Sequence, residues 1–453
     1  MKKILSLFAI FAIGISLLAI INSCGSKDTV EPNVIKFWHF WSEPNQKQAL
    51  LELIEKFEKE NNCKVELTEL SWNNGKTKLI AAFNSGVAPD VLELGSDWVA
   101  QFSSVDILAE ISPDSIDFSR FLEYSLLPTL WKNNYYAVPW TVDTRLMFYN
   151  KKLMSDANLN ICANAGTPIP PTNYTDLIDF SNRINNSEKG VYGFGTNGSD
   201  PHRLYKKILP IIWTYGGDIL DSSGNPIINS SKNTEALNIY LQLSRTGIIE
   251  TQRQLDSYFA QGKIGFVFSG AWLLEKIKNE NPSLDFGVAV MPNINASTVI
   301  ASETKQSINN SKIATPTARN DNSESNNSKM GISFLGCQFL SLNKNSTKQE
   351  LGLKLIRFLT DGKNAIELAK RFAEAGFPAD KAYFNSEIFQ KDKHKSIFAQ
   401  QLNYAKVTPV HPRWLDIEAI IENAVSQAIY GEKSANEALN TAQIEVLKLL
   451  NEK

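Results

Sequence analysis

The sequence contains few of the residues that mark several common classes of protein. Its 453 residues include only four cysteines and four histidines, which are too few and too scattered for a disulfide scaffold or a zinc ribbon. The 46 basic and 48 acidic residues give a formal charge of −2, so a nucleic-acid partner is not expected. The content of 43% hydrophobic and 21% charged residues excludes wholesale disorder, collagen and coiled coil. The length corresponds to two or three domains.

The N-terminus carries the features of an export signal. Lys2 and Lys3 precede an uncharged apolar run at residues 4–21, and Ser23 stands directly before Cys24. This order predicts a lipoprotein signal peptide over residues 1–23, because it resembles the bacterial lipobox, in which the cysteine is lipidated and becomes the first mature residue. A tether is predicted at residues 24–33. The alternative is an uncleaved transmembrane anchor, and either one places the remainder on the periplasmic or cell-surface side of the membrane.

Apolar periodicity after the tether predicts alternating strands and helices. The first segments are strand 34–38, helix 46–61, strand 64–70, helix 76–85 and strand 91–94. Such alternation is typical of an α/β fold with a largely parallel sheet. The C-terminal part is predicted to be mostly helical, with a break at Gly431. Residues 295–329, rich in asparagine, serine and threonine, predict a flexible surface insertion.

Motifs for cofactor or catalytic chemistry are weak. Residues 193–198 fit G-x-G-x-x-G, but only two strand-like residues precede them and the motif needs a solid strand there, so a glycine-rich turn is expected. No P-loop and no G-x-S-x-G elbow is present, and neither a cofactor nor a metal is predicted. Carboxylate pairs for glycoside hydrolysis form in space rather than in sequence. Asp97, Asp143 and Asp200 therefore leave a secreted glycosidase as an alternative.

The tryptophans give a more informative signal. Six of the nine stand at predicted element ends or in loops beside polar residues, namely Trp38, Trp41, Trp98, Trp140, Trp272 and Trp414. A sugar presents a C–H face to an aromatic ring and a hydroxyl rim to carboxylates, amides and guanidinium groups. Pockets of this kind are concave and lined by aromatic residues. The pattern indicates a carbohydrate site, and the alternative is that these tryptophans are half-buried core residues.

Several short motifs occur in order along the chain. They are Lys36-Phe-Trp-His-Phe-Trp41, Gly86-Val-Ala-Pro-Asp-Val91, Tyr135-Tyr-Ala-Val-Pro-Trp-Thr-Val-Asp143, Trp213-Thr-Tyr-Gly-Gly217 and Ser269-Gly-Ala-Trp272. The series resembles the extracellular solute-binding proteins of family 1, which serve sugar-type ABC importers. The resemblance implies an α/β fold of the two-lobed periplasmic-binding-protein type (type II-like), with a ligand cleft between lobes joined by a hinge.

The resemblance also implies how the chain divides between the lobes. Lobe 1 is expected to contain residues 34–139 and about 291–371, with the flexible insertion at 295–329. Lobe 2 is expected to contain residues 140–290 and about 372–453. The crossover at residues 139–143 is expected to form the hinge and a wall of the cleft together.

Candidate binding residues follow from the same resemblance, position by position. Trp272 is expected to stack on the sugar, and Asp97 and Asp143 are expected to contact its hydroxyl groups, with Trp98 beside Asp97. Asp200 and His202 fall in a segment where relatives place further contacts. Loop position adds a last set of candidates: Trp38, His39, Trp41, Arg145, Arg413 and Trp414.

The combined expectation is a lipid-anchored, substrate-binding component of an ABC importer. It would hold a mono- or oligosaccharide by lobe closure and deliver it to the membrane permease, as a monomer attached to the membrane through Cys24, without enzymatic activity. The alternative ligand is another small solute, either a glycerol phosphodiester, a polyamine or a peptide. Arg145, Arg203 and Arg413 keep the anionic case open.

Overall fold

A computed structural model describes residues 33–72, 74–159, 167–294 and 330–452. The predicted signal peptide, Cys24, Cys162 and the predicted insertion at 295–329 lie outside these residues. The two described cysteines, Cys63 and Cys337, are buried free thiols. Within the described ranges, none of the helices has the length and apolar character needed to cross a membrane.

The described chain alternates between strands and helices. The strands are β1 Val34–His39, β2 Lys64–Glu69, β3 Val91–Gly95, β4 Leu130–Trp131, β5 Asn134–Tyr135, β6 Val138–Thr144, β7 Leu146–Asn150, β8 Tyr192–Asn197, β9 Gly247–Glu250, β10 Ile264–Ser269, β11 Phe286–Ala289, β12 Ser333–Leu342, β13 Phe377–Pro378 and β14 Ala405–Lys406. The helices are α1 Pro44–Asn61, α2 Gly75–Ser85, α3 Val99–Ser104, α4 Lys151–Asp156, α5 Tyr174–Ile184, α6 Tyr205–Thr214, α7 Ser231–Ser244, α8 Gln252–Ala260, α9 Trp272–Glu280, α10 Gln349–Thr360, α11 Gly362–Arg371, α12 Lys381–Phe384, α13 Glu387–Gln390, α14 Lys395–Leu402, α15 Trp414–Ile429 and α16 Ala435–Asn451.

The strands form two main sheets. The first has the order β13-β6-β12-β3-β1-β2, with β14 paired to β12, and the second has the order β11-β7-β10-β8-β9. The pairs β1–β2, β1–β3, β8–β9 and β8–β10 are parallel. The pairs β12–β3, β12–β6, β10–β7 and β11–β7 are antiparallel. The α/β prediction is confirmed, and the sheets are mixed because the chain crosses between them and returns.

The first crossing between the sheets takes a single residue. Arg145 alone separates β6 of the first sheet from β7 of the second. The chain returns between β11 and β12, and the hydroxyl of Ser333, the first residue of β12, donates to the carbonyl oxygen of Arg145 over 2.7 Å and accepts from its N–H over 3.2 Å. The predicted lobe boundary at residues 139 and 140 lies inside β6. β13, which follows residue 372, pairs with β6 in the first sheet.

Local sequence explains where the helices begin and end. The predicted helix 46–61 is confirmed as α1, whose buried stripe contains Leu50, Leu53 and Phe57, and which ends where Asn62 takes a left-handed conformation. The predicted C-terminal break is confirmed as well, because Gly431 has a φ of +75° and stands between α15 and α16.

A carboxyl group lies entirely inside the first sheet. Glu93 on β3 has no exposed surface, and its Oε2 accepts from the N–H of Phe40 over 2.8 Å. Burial raises the pKa of Glu93 to about 8, because the charged form loses its hydration. His39, at the end of β1, is also buried, and burial lowers its pKa to about 4.

Glu93 should make the protein less stable as the pH rises. Between pH 4.5 and 8 the folded state holds a proton that the unfolded state releases, so raising the pH favours unfolding by about 1 kcal/mol per pH unit. His39 acts in the opposite sense only between pH 4 and 6.5. In denaturant titrations between pH 6.5 and 8, the free energy of unfolding of the wild type should therefore change with pH more in the destabilising direction than that of Glu93→Gln, by about 1 kcal/mol per pH unit. Glu66→Gln, at an exposed position on β2, should retain the wild-type slope. Equal slopes in all three proteins would contradict the account.

Candidate functional site: a cleft between the two sheets

A cavity of about 1020 Å³ opens between the two sheets. On the first-sheet side its walls are segments that follow the carboxyl ends of strands, at residues 40–46 after β1, 70–72 after β2 and 95–98 at β3. On the second-sheet side, residues at the starts of α6, α8 and α9 line it. Loops at the carboxyl ends of strands are where α/β folds place their ligands, so this cavity is the candidate site.

The first-sheet wall is an aromatic cluster. Phe40 and Trp72 stack with their ring centroids 4.0 Å apart and 17° between their planes. The plane of the Trp98 ring is inclined by 72° to that of Phe40 and by 61° to that of Trp72, and its centroid lies 5.5 Å and 5.6 Å from theirs. All three line the cavity, but Phe40 and Trp98 are buried whereas Trp72 is half-buried. Trp72 therefore supplies the aromatic surface of this wall.

The second-sheet wall contains one tryptophan, Trp272, which contacts a carboxylate, a glycine backbone and a guanidinium group. Trp272 begins α9, and its Nε1 donates to Oδ2 of Asp256 over 2.8 Å. Its six-membered ring lies against the backbone of Gly270, where an added Cβ would be 2.0 Å from a ring carbon. The guanidinium carbon of Arg145 lies 4.7 Å from the ring centroid, at a distance that gives a cation–π attraction.

Two cations lie close to one ring at the crossover between the sheets. Arg145 pairs with Asp143 over 2.7 Å and lies 5.4 Å from the ring centroid of Phe334. The ammonium group of Lys206 lies 5.5 Å from the same centroid. The carboxylate of Asp143 packs against Gly336, where a Cβ would be 1.8 Å from Oδ1. Glycine at position 336 therefore makes room for the ion pair.

A hydrogen bond joins the two walls of the cleft. The hydroxyl of Tyr205, at the start of α6, donates to Oδ2 of Asp97, which follows β3, over 3.1 Å. Tyr205 is completely buried, and burial raises its pKa well above the ordinary value. The hydroxyl therefore remains protonated and available as a donor at all physiological pH values.

Beside this bond, α15 places two acidic side chains under His202. Nδ1 of His202 is 2.6 Å from Oε1 of Glu418, and Glu422 accepts the backbone N–H groups of His202 and Tyr205 over 3.0 Å and 3.1 Å. Burial raises the pKa of Glu418 to about 7. The hydrogen bond to Glu418 raises the pKa of His202. These groups position the start of α6 at the cavity.

Residues 41–366 match the bacterial extracellular solute-binding protein family. The chain belongs to this family. It is 22% identical to the galactooligosaccharide-binding protein of Bacillus subtilis over 89% of this chain and 86% of that protein. It is 24% identical to the diacetylchitobiose-binding protein of Streptomyces coelicolor over 83% and 80% of the respective chains. The structure of an ABC transporter solute-binding protein from Thermotoga lettingae, bound to α-D-tagatose, is similar with a TM-score of 0.76, 19% identity and coverage of 92% and 100%. The predicted two-lobed fold is confirmed.

In this solute-binding protein the cleft brings together seven of the predicted site residues. They are Trp41, Asp97, Trp98, Asp143, Arg145, His202 and Trp272. Their contribution to binding stays a prediction. The sequence analysis missed Trp72. This residue meets the criterion that selected the other tryptophans, since it lies just after the predicted strand 64–70 and beside the polar residue Ser71.

Three of the other predicted residues are core or sheet residues and do not line the cavity. Trp414 is 1% exposed and turns an edge toward Tyr205, with the centroids 6.3 Å apart. His39 is 2% exposed. Trp38 lies within β1 and packs, half-buried, against the core. Their positions at the ends of predicted strands and helices gave no information on how deeply their side chains are buried.

The remaining two predicted residues also lie outside the cavity lining and have structural partners. Asp200 accepts the backbone N–H of Gln252 over 3.0 Å, which ties the loop after β8 to the start of α8. Arg413 pairs with Asp416 over 2.7 Å at the start of α15. Among the described residues, no group of three or more histidine, cysteine or acidic side chains is arranged to hold a metal ion.

The contact between Gly336 and Asp143 can be tested by a double-mutant cycle. Gly336→Ala forces the Asp143 carboxylate and its Arg145 partner to move, and overpacking of this kind costs about 1–3 kcal/mol. In an Asp143→Ala background the same change should cost less than about 1 kcal/mol, because the clashing group is gone. The free energies of unfolding of the four proteins measure the coupling. Equal costs in both backgrounds would exclude this contact as the reason for glycine.

Proposed function

We propose that this solute-binding protein holds a mono- or oligosaccharide in the cleft and delivers it to the permease of an ABC importer. The observation that supports this most is that one cavity is lined by Trp72 on the first-sheet wall and Trp272 on the second-sheet wall, together with Asp97, Asp143 and Arg145. Aromatic faces suit the C–H faces of sugar rings, and charged oxygen and nitrogen groups suit the hydroxyl rim.

The size of the cavity favours a ligand of more than one sugar ring. Pockets for small ligands usually measure about 300–1,000 Å³, and this one measures about 1020 Å³. The relative from Bacillus subtilis is named for galactooligosaccharides, which supports the same ligand class here. An oligosaccharide would reach the aromatic residues of both walls at once.

Binding in this proposal works by closure of the two lobes. We place the crossings at Arg145 and between β11 and β12, where the chain passes from one sheet to the other. The ligand stabilises the closed form because it contacts both walls only when they are close, and it shifts the equilibrium by that difference in affinity. The Asp97–Tyr205 hydrogen bond would contribute to the same closed form.

Binding and delivery of a ligand require no chemical reaction by the protein. We propose that it acts as a receptor and not as an enzyme, without cofactor or metal, as a monomer attached outside the cytoplasmic membrane by a lipid on Cys24. Attachment through two acyl chains is stable, whereas a single chain binds only marginally. The permease subunits are its proposed protein partners.

A second ligand class is favoured by one feature of the cleft. Arg145 and Lys206 bring two positive charges to the ring of Phe334, and only Arg145 has a carboxylate within ion-pair distance among the described residues. An anionic solute such as a glycerol phosphodiester is therefore the alternative ligand. Such a ligand would depend on both cations.

A thermal-unfolding screen of residues 24–453 should identify the ligand class. Galactotriose, maltotriose, diacetylchitobiose and tagatose represent the sugars, and glycerophosphocholine, spermidine and a tripeptide represent the alternatives. A ligand at 100 times its dissociation constant adds about 2.7 kcal/mol of stability, so a sugar should raise the unfolding temperature. A response to glycerophosphocholine alone would replace the sugar assignment. Shortened oligosaccharides after long incubation would instead identify a glycosidase.

Removal of either wall tryptophan should weaken sugar binding. Trp72→Ala and Trp272→Ala each remove a surface whose burial by the sugar contributes roughly 1.5–3 kcal/mol, so the dissociation constant should rise roughly tenfold or more. Isothermal titration with the best sugar of the screen measures the change. The matched control is Trp131→Ala, because this half-buried tryptophan on β4 does not line the cavity. An unchanged dissociation constant in the wall variants would remove the tryptophans from the site.

A further inference from the structure

A buried carboxylate holds the N–H edge of the Trp272 indole. Asp256 accepts from Nε1 of Trp272 over 2.8 Å, from the hydroxyl of Ser269 over 2.9 Å and from the side-chain amide of Gln252 over 2.8 Å. Asp256, Ser269 and Gln252 are each at most 3% exposed. A side chain that receives three donors in this way is hydrogen-bonded as an ionised carboxylate, which can only accept.

The positive charge that accompanies this carboxylate is also buried. Lys207 is 4% exposed, and its ammonium group donates to the carbonyl oxygen of Phe268 over 2.7 Å. Burial lowers the pKa of Lys207 and raises that of Asp256, while the attraction between the two charges opposes both shifts. Removing one of two such charges leaves the other uncompensated, which destabilises a protein more than removing both.

Without this hydrogen bond the N–H edge of the indole would lose its acceptor, and the ring would be held less firmly. Trp272 is the first residue of α9 and is only half-buried. Its fixed neighbour is the backbone of Gly270, and its other close neighbour is the side chain of Arg145. A ring that is already held in the binding orientation loses less conformational entropy when the ligand arrives, so binding is tighter.

We propose that Asp256 is a positioning residue for ligand recognition, which holds the Trp272 indole in its binding orientation while Lys207 balances the charge. The inference rests on the proposed function, since it concerns the same cleft, whose lining includes Asp256, and it assigns Asp256 an action through Trp272. Because Lys207 is part of the arrangement, single substitutions at either position would confound positioning with the cost of a lone buried charge.

The test compares two double variants, one that retains an acceptor for the indole and one that does not. Lys207→Met with Asp256→Asn removes both charges and retains an oxygen for the indole. Oε1 of Gln252 has no partner among the described atoms, so this amide can turn to accept from the new NH2 group. Lys207→Met with Asp256→Leu removes the acceptor as well. In the leucine variant the carbonyl of Phe268 keeps a second donor, the Gln252 amide at 3.3 Å, whereas in the asparagine variant the turned amide no longer donates to it.

Two measurements are made on both double variants and on the wild type. Protein labelled with 15N-tryptophan gives one indole N–H signal per tryptophan, and Trp272→Phe assigns the signal of Trp272. That signal should move towards the position of free indole in the leucine variant but not in the asparagine variant. Titration with galactotriose should show roughly five- to tenfold weaker binding by the leucine variant than by the asparagine variant, because one hydrogen bond contributes about 1 kcal/mol.

The outcomes separate this inference from the proposed function. An indole signal at the same position in both double variants overturns the positioning role, whether or not any sugar binds. A displaced signal with equal affinities overturns its role in recognition. If the wild type binds neither galactotriose nor the other sugars, the proposed function fails, and the indole signal alone decides whether Asp256 positions Trp272.

Discussion

The two connections between the sheets are tied to each other by one buried hydroxyl group. Ser333 begins the strand that returns the chain to the first sheet, and its side chain bonds to both backbone groups of Arg145, the only residue between β6 and β7. A change in the backbone of Arg145 is therefore transmitted to the start of β12. The cleft lies beside this junction, because Arg145 and Phe334, the residue after Ser333, both line it.

The polar groups of the cleft fall into two classes, which differ in how they are held. Asp256 and Lys207 are buried and have fixed hydrogen-bond partners, so moving them would leave donors and acceptors unpaired. Asp143 and Arg145 pair mainly with each other, and the Asp143 side chain is 24% exposed. Water can replace part of the interaction between Asp143 and Arg145, whereas it does not reach the hydrogen bonds of the buried Asp256 and Lys207. The deeper pair is thus suited to hold shape, and the outer pair to respond to a ligand.

Much of the fold could be predicted from local pattern. The apolar stripe of α1 and the glycine at position 431 determined elements that the structure contains at nearly the predicted residues. The antiparallel place of β12 could not be predicted, because it depends on the chain returning from another sheet. The family resemblance implies a hinge at residues 139–143, and in the structure these residues belong to β6, from which the chain passes to the second sheet through Arg145.

The candidate site was harder to predict than the fold, because its residues are identified by how deeply each side chain is buried. Trp272 and Trp414 both stand beside polar residues at element ends, yet one lines the cavity and the other is 1% exposed. The difference comes from α15, which packs its first residue inward. Trp72 also stands beside a polar residue near the end of a predicted strand, but it was not among the predicted site residues. Asp256 carries no sequence signal at all, because its partners Gln252, Ser269 and Trp272 come from three separate elements.

The position of β1 limits how far the molecule can stand from the membrane. This strand starts at Val34 and lies between β3 and the edge strand β2 in the first sheet. With the proposed lipid on Cys24, nine residues separate the anchor from Val34, and the ten steps from one Cα to the next span at most about 35 Å when the chain is fully extended. The first sheet would thus stay within reach of the bilayer surface at all times, while the second could swing further out. Search for the transporter would become diffusion in two dimensions.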